Sequence, residues 1–308
     1  MRAFIFPGQG AQTVGMLAPW LTEPVAAALF QQLPAAIYHS AMHGPDEVLR
    51  QTTHAQPALY AVGYAAYAAY RAAGGAPAAL VAGHSLGEYT ALAAAEVVSF
   101  ADGLRLVQAR ATAMANAAPD GGTMAAVLGL TAEVVQACCD AHGAVIANDN
   151  CPGQIVIAGT VTAVHGAAEA AKAAGARRII ALPVAGPFHS PLMAPAVAPL
   201  AAALAETTFH TPVCPVVLNT TAAPTQDPAL IKTELLKQLV GQVRWRESLL
   251  TLAALGVTAV VECGTGKVLT GLVNKTAPQI RTHALTNPTE MATLLTAAVT
   301  PVTATTVE

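Results

Sequence analysis

Gly83-His84-Ser85-Leu86-Gly87 fits the pattern G-x-S-x-G. The apolar run Ala79–Ala82 before it reads as a buried strand, and Glu88–Val98 after it reads as a helix. In that strand–turn–helix setting the serine sits on a sharp bend with Oγ exposed, as a nucleophile needs. The Leu86 N–H, at the start of the helix, then points toward an oxyanion formed when Ser85 attacks a carbonyl. A serine needs a base. Of the nine histidines, His189 stands out, because it follows the strand-like run Arg178–Val184 in Gly-Pro-Phe-His-Ser-Pro. His84 is expected to turn away into packing. Asp149 is the one attractive acid between Ser85 and His189, although Asn148 and Asn150 beside it also suit a turn. Without an acid, a backbone carbonyl can fix the histidine tautomer instead.

Arg110 lies in Gln108-Ala109-Arg110-Ala111-Thr112-Ala113-Met114, a helical stretch with little charge nearby. It is either a solvated face residue or, if buried, a bidentate clamp for a substrate carboxylate. Gly8-Gln9-Gly10-Ala11-Gln12 misses the dinucleotide pattern, since Thr13 stands where the last glycine belongs, and no Walker lysine follows. A loop offering a backbone N–H to an oxyanion suits it better.

These residues must be positioned by a fold. The chain has 308 residues, enough for two domains or one with an insertion. Arg2–Phe6, Ala79–Ala82, Val213–Asn219 and Ala259–Cys263 read as strands. They alternate with helices at Gln56–Ala73, Asp102–Ala118, Pro228–Leu239, Arg246–Leu255 and Gly266–Asn274. Tyr60, Tyr64, Tyr67 and Tyr70 share one helix face and read as a core stripe. Between these halves the order changes to β-α-β-β-α-β: Met124–Leu130, Thr131–His142, Val145–Ala147, Gln154–Ala158, Thr162–Ala174, Arg178–Val184. That is a split βαβ, ferredoxin-like pattern, with Asn148–Gly153 as the central turn. The expected architecture is α/β: a parallel-sheet core from residues 1–119 and 187–308, with a ferredoxin-like subdomain at 120–186. The tail beyond Pro301 is expected to fray.

Charged residues make up 11% of the chain and the net charge is −3, which argues against a nucleic-acid binder and against disorder. Five cysteines form no CxxC pair and no even framework, so a reducing, cytoplasmic setting is expected. The start MRAFIFPGQG, with one Arg and a short apolar run, is not expected to act as a signal peptide. The uncharged run Ile179–Ala205 is broken by five prolines, so no membrane span is expected.

Taken in order, FPGQGAQTVGM, GHSLGEYTAL, QAR with Arg110, GTMAAVLGL, GPFHSPLM, QLVGQVRW and GTGKVLTGL resemble the malonyl-CoA:acyl carrier protein transacylases, over nearly the whole chain. The resemblance implies an α/β-hydrolase-like core and a malonyl-serine ester at Ser85. It makes His189 the general base and acid, and Gln9 and Leu86 the backbone donors of the oxyanion hole. It makes Arg110 the binder of the malonyl carboxylate. Only the resemblance implies that the main-chain carbonyl of Gln238 orients the histidine, and that Phe188 disfavours branched acyl groups. Asn148 and Asn150 match active-site asparagines without an assigned role. The implied partners are malonyl-CoA and an acidic carrier protein, with Arg177, Arg178, Lys267, Lys275 and Arg281 as a candidate basic rim. Neither cofactor nor metal is implied, and a monomer is expected. The alternatives are the transacylase subunit of malonate decarboxylase, a serine thioesterase or esterase using Asp149, and an inactive docking module.

Overall fold

The structure, a computed structural model, describes residues 1–117, 121–184 and 186–297. The tail expected to fray lies outside them. β1 (Arg2–Phe6) is followed by three short helices absent from the sequence reading, α1 (Pro24–Phe30), α2 (Ala35–His43) and α3 (Asp46–Leu49). Then comes the long α4 (Thr52–Ala72). Its tyrosines form a core stripe: Tyr67 meets Phe4 edge-on at 5.0 Å, and Tyr60 stacks on Phe100 at 5.3 Å. β2 (Leu80–Gly83) leads through the Ser85 bend into α5 (Gly87–Ala94), and α6 (Phe100–Ala117) follows.

The middle of the chain builds a separate sheet. Its elements are β3 (Gly122–Leu128), α7 (Ala132–His142), β4 (Val145–Cys151), β5 (Gln154–Thr160), α8 (Val161–Ala173) and β6 (Arg178–Ala181). The four strands pair antiparallel in the order β4-β5-β3-β6. One expectation fails here. Asn148, Asp149 and Asn150 lie within β4 and not in a turn, and the hairpin closes at Pro152-Gly153, with Gly153 at φ 73°. Two register shifts in β4, at Ile146/Asn148 and Asp149/Cys151, re-aim the three polar side chains, as bulges beside active sites commonly do.

The chain then forms a 3-10 turn at Pro191–Ala196, α9 (Val197–Ala205), β7 (Val216–Val217), β8 (Pro224–Thr225), α10 (Pro228–Val240) and α11 (Trp245–Ala254). It ends in β9 (Ala259–Cys263), α12 (Val268–Thr276), β10 (Arg281–Leu285) and α13 (Pro288–Ala297). β7 is much shorter than the expected Val213–Asn219, because Pro215 has no N–H for a ladder. The main sheet runs β10-β9-β1-β2-β7-β8, parallel except for the last pair. Apart from Arg2 and Glu262, β1, β2 and β9 are apolar, and they are almost wholly buried, as strands with both faces covered must be. The loops after β1 and β2 therefore leave the carboxyl edge of the sheet side by side, where α/β folds place their sites. Among the described residues no helix is long and apolar enough to cross a membrane.

Candidate active site

The bend after β2 is forced by packing. A Cβ on Gly83 would overlap the Gly87 backbone, and one on Gly87 would overlap the Phe6 carbonyl. Only glycines let strand and helix meet this closely. The turn holds Ser85 at φ 53°, and His189 sits at φ 59°. Both are non-glycine residues in the left-handed region, a strain that the surroundings must hold in place.

Ser85 and His189 are 104 residues apart in sequence and in direct contact. Ser85 Oγ lies 2.7 Å from His189 Nε2, and His189 Nδ1 lies 2.7 Å from the main-chain oxygen of Gln238. A carbonyl only accepts, so Nδ1 carries the proton and the Nε2 lone pair faces the Ser85 hydroxyl. Burial, and next the charge of Arg110, holds the His189 pKa down to about 3. The imidazole is therefore neutral and ready to take a proton. Asp149 is not its orienting acid. It pairs with Arg246 instead, Oδ2 to Nη2 at 2.7 Å.

Arg110 is fully buried, which excludes the solvated face residue. It occupies the apolar stripe of α6, in step with Val107 and Met114. Its Nη1 donates to Gln56 Oε1 at 2.8 Å. Its Nη2 donates to Gln238 Oε1 at 2.9 Å and to Ser85 Oγ at 3.2 Å. The Tyr89 ring lies 5.4 Å from the guanidinium. Among the described residues no carboxylate lies within ion-pair distance of it, and Nε is buried without a partner. A buried charge held only by neutral oxygens, with a donor unused, is suited to an anionic ligand.

The remaining expected residues gather around this pair. Gln9, Phe188, His189, Ser85 and Asn148 line one cavity of about 90 Å³, with Gln56, Met114, Met124, Leu182 and Val184. An adjoining cavity of about 290 Å³ shares Gln9, His84, Asn148 and Leu182 and continues past Asn150 to Leu269 and Leu272. His84 does turn aside: its Nε2 is 2.7 Å from Asn150 Oδ1, and its ring packs on Trp245. The backbone N–H groups of Gln9 and Leu86 donate to no partner among the described residues, leaving both free for an oxyanion. A larger groove, of about 550 Å³, lies on the other face of α6 along Gln108, Thr112 and Asn116, and no titratable group lines it.

Three supporting residues escaped the sequence reading. Gln56 anchors Arg110. Asn219 accepts from the Ser85 N–H at 2.7 Å and donates to the Gly83 carbonyl at 2.6 Å, pinning the strained bend. Glu88, fully buried beneath the site, accepts from Gln238 Nε2 and from the Asn219 N–H. The available signal was a polar residue in an apolar context: Asn219 closes Val216-Val217-Leu218, and Glu88 stands one turn after the nucleophile.

The sequence matches the acyl transferase domain family over residues 3–300. It is 44% identical over 303 residues to the malonyl CoA-acyl carrier protein transacylase of Escherichia coli strain K12, covering 95% of this chain and 98% of that one. The acyl-carrier-protein S-malonyltransferase crystal structure from Burkholderia pseudomallei 1710b superposes with a TM-score of 0.93 at 42% identity, covering 96% and 99% of the two chains. A malonyl-transacylase solved with its type II polyketide acyl-carrier protein superposes with a TM-score of 0.93 at 37% identity, over 96% and 99%.

Proposed function

The chain belongs to the acyl transferase domain family, and from that membership we propose that its site moves a malonyl group from malonyl-CoA to the phosphopantetheine thiol of an acyl carrier protein, in fatty acid or polyketide synthesis. The observation that carries the chemistry is the relay from Ser85 Oγ through His189 to the Gln238 carbonyl, with the Arg110 guanidinium 3.2 Å from the same hydroxyl.

The reaction has two halves. In the first, His189 Nε2 takes the Ser85 proton as Oγ attacks the thioester carbon. The Gln9 and Leu86 N–H groups receive the oxyanion. Collapse breaks the C–S bond, and His189 returns the proton to the departing CoA thiolate. In the second, His189 deprotonates the carrier thiol, which attacks the malonyl ester, and the proton returns to Ser85. This is ping-pong covalent catalysis. One thioester replaces another, so the reaction balances without a cofactor or metal. Gln238 holds His189 with a carbonyl, which fixes the tautomer without a second charge. Arg110 receives the malonyl carboxylate, for which its unused Nε and polarised Nη2 are suited. Phe188 narrows the cavity against branched acyl groups.

The order β4-β5-β3-β6 supports reading residues 120–186 as a ferredoxin-like subdomain inserted into an α/β-hydrolase-like core of 1–119 and 187–308. The buried free cysteines among the described residues suit the proposed cytoplasmic setting.

A thioesterase using Asp149 is disfavoured, because that carboxylate is held by Arg246. The discriminating experiment offers malonyl-CoA with and without holo carrier protein and follows free malonate. Transfer to the carrier with little free malonate is expected, and rapid malonate release that ignores the carrier would establish a hydrolase instead.

A further inference from the structure

We infer that Glu88 is a positioning residue for Arg110, acting through the side-chain amide of Gln238, and that it thereby sets the preference for acyl groups bearing a carboxylate. The inference rests on the malonyl reading above and concerns a residue that touches no substrate.

The Gln238 amide links Glu88 to Arg110. Its Nε2 faces three acceptors: Glu88 Oε2, the Ser85 carbonyl at 3.0 Å and Asn219 Oδ1 at 3.4 Å. Its Oε1 faces one donor, Arg110 Nη2. Only this orientation turns the amide nitrogen to acceptors and its oxygen to a donor. Turned over, the amide would set its oxygen against a carboxylate and a carbonyl, and its N–H groups against a guanidinium. An ionised Glu88 therefore locks Gln238, and Gln238 holds Arg110 over Ser85. A protonated Glu88 has a hydrogen to donate, and Asn219 N–H and Gln238 Nε2 are both donors. The acceptor it can gain is Gln238 Oε1, reached by turning the amide away from Arg110.

The charged and titratable groups around Glu88 come from each packed element. They are Arg110 on α6, Glu234 on α10, Tyr89 on α5 itself, and His189 beyond Gln238. Burial raises the Glu88 pKa to about 7, against the pull of Gln238, Asn219 and Arg110, so its charge changes near neutrality. Glu234, also buried, is held charged by Lys237 and Thr220 against the effect of burial. Tyr89 is pushed up by burial. His189 stays neutral across this range.

The test is the ratio of Ser85 acylation rates with malonyl-CoA and acetyl-CoA, from about pH 6 to about pH 8.5. Acetyl lacks the carboxylate, so effects on Ser85 and His189 cancel in the ratio. The wild-type ratio is expected to rise roughly tenfold with pH, the worth of one charge-assisted hydrogen bond. Glu88→Gln, neutral at every pH, is expected to keep the low ratio throughout. A flat wild-type ratio, or a Glu88→Gln protein that keeps the wild-type rise, would overturn the inference. The wild-type profile decides by itself if the variant does not fold. Failure of malonyl-CoA to acylate the wild type at all would overturn the malonyl reading, and this inference with it.

Discussion

At the scale of single residues, the site works by keeping one charge and removing another. Arg110 stays charged in the core, while His189 is kept neutral beside it. The ordinary histidine value is 6.5, and here it falls to about 3, first through burial and then through Arg110. The base form thus persists as pH drops, and the free enzyme loses it only as pH nears 3. Single-turnover acylation by acetyl-CoA should accordingly hold its rate from neutrality to about pH 5. A midpoint near 6.5 would contradict this environment. Arg110→Ala removes the proposed partner of the malonyl carboxylate and should lower the malonyl preference by roughly 2–5 kcal/mol of transition-state binding. A variant with the parent malonyl-to-acetyl ratio would refute that role. Ser85, His189 and Arg110 were legible because each is a reactive or charged type in a place that ordinary packing does not explain. Gln56, Glu88 and Asn219 were not, because polar side chains usually mean surface. Their value appears only where segments 19 to 150 residues apart meet.

Two elements do most of the positioning. The Gly83–Gly87 bend lets β2 and α5 touch, and its pattern was readable because glycine spacing is a local signal. Gly83→Ala drives a methyl into the Gly87 backbone and should cost about 3 kcal/mol or more. Thermal unfolding checks this, and an unchanged melting temperature would show the approach to be looser than described. β4 is the opposite case. Asn148, Asp149 and Asn150 have turn chemistry, and local propensity pointed to a loop. Pairing with β5 overrode it, and the two register shifts sent Asn148 to the cavity, Asn150 to His84 and Asp149 to Arg246. Such a result depends on cross-strand partners, which no local window contains. The short helices α1–α3 and the strand β10 escaped for a related reason: each is too brief or too weakly patterned to stand out.

Across the whole molecule, the site depends on the two sheets staying joined. Ala147 and Asp149 of β4 exchange backbone hydrogen bonds with Val243, at 2.8 and 3.0 Å, just before α11. The Asp149–Arg246 pair reinforces that seam. Asp149 is 4% exposed and Arg246 31%, so removing the arginine leaves a buried carboxylate unpaired. Arg246→Ala should destabilise the protein by about 3 kcal/mol, and a double-mutant cycle with Asp149→Asn should recover much of that loss. Additive effects would mean that the pair contributes nothing to the join. The α/β order and the inserted β-α-β-β-α-β segment were visible in the periodicity of the chain. The seam was not, since it is made by one residue, Val243, with no chemical mark of its own.

Intact-mass analysis of the protein after malonyl-CoA, and again after holo carrier protein, tests transfer through a malonyl-Ser85 ester. One malonyl adduct should form on the wild type, be absent from Ser85→Ala, and pass to the carrier thiol when carrier is added. An adduct of equal size on Ser85→Ala, or no adduct on the wild type, would contradict it.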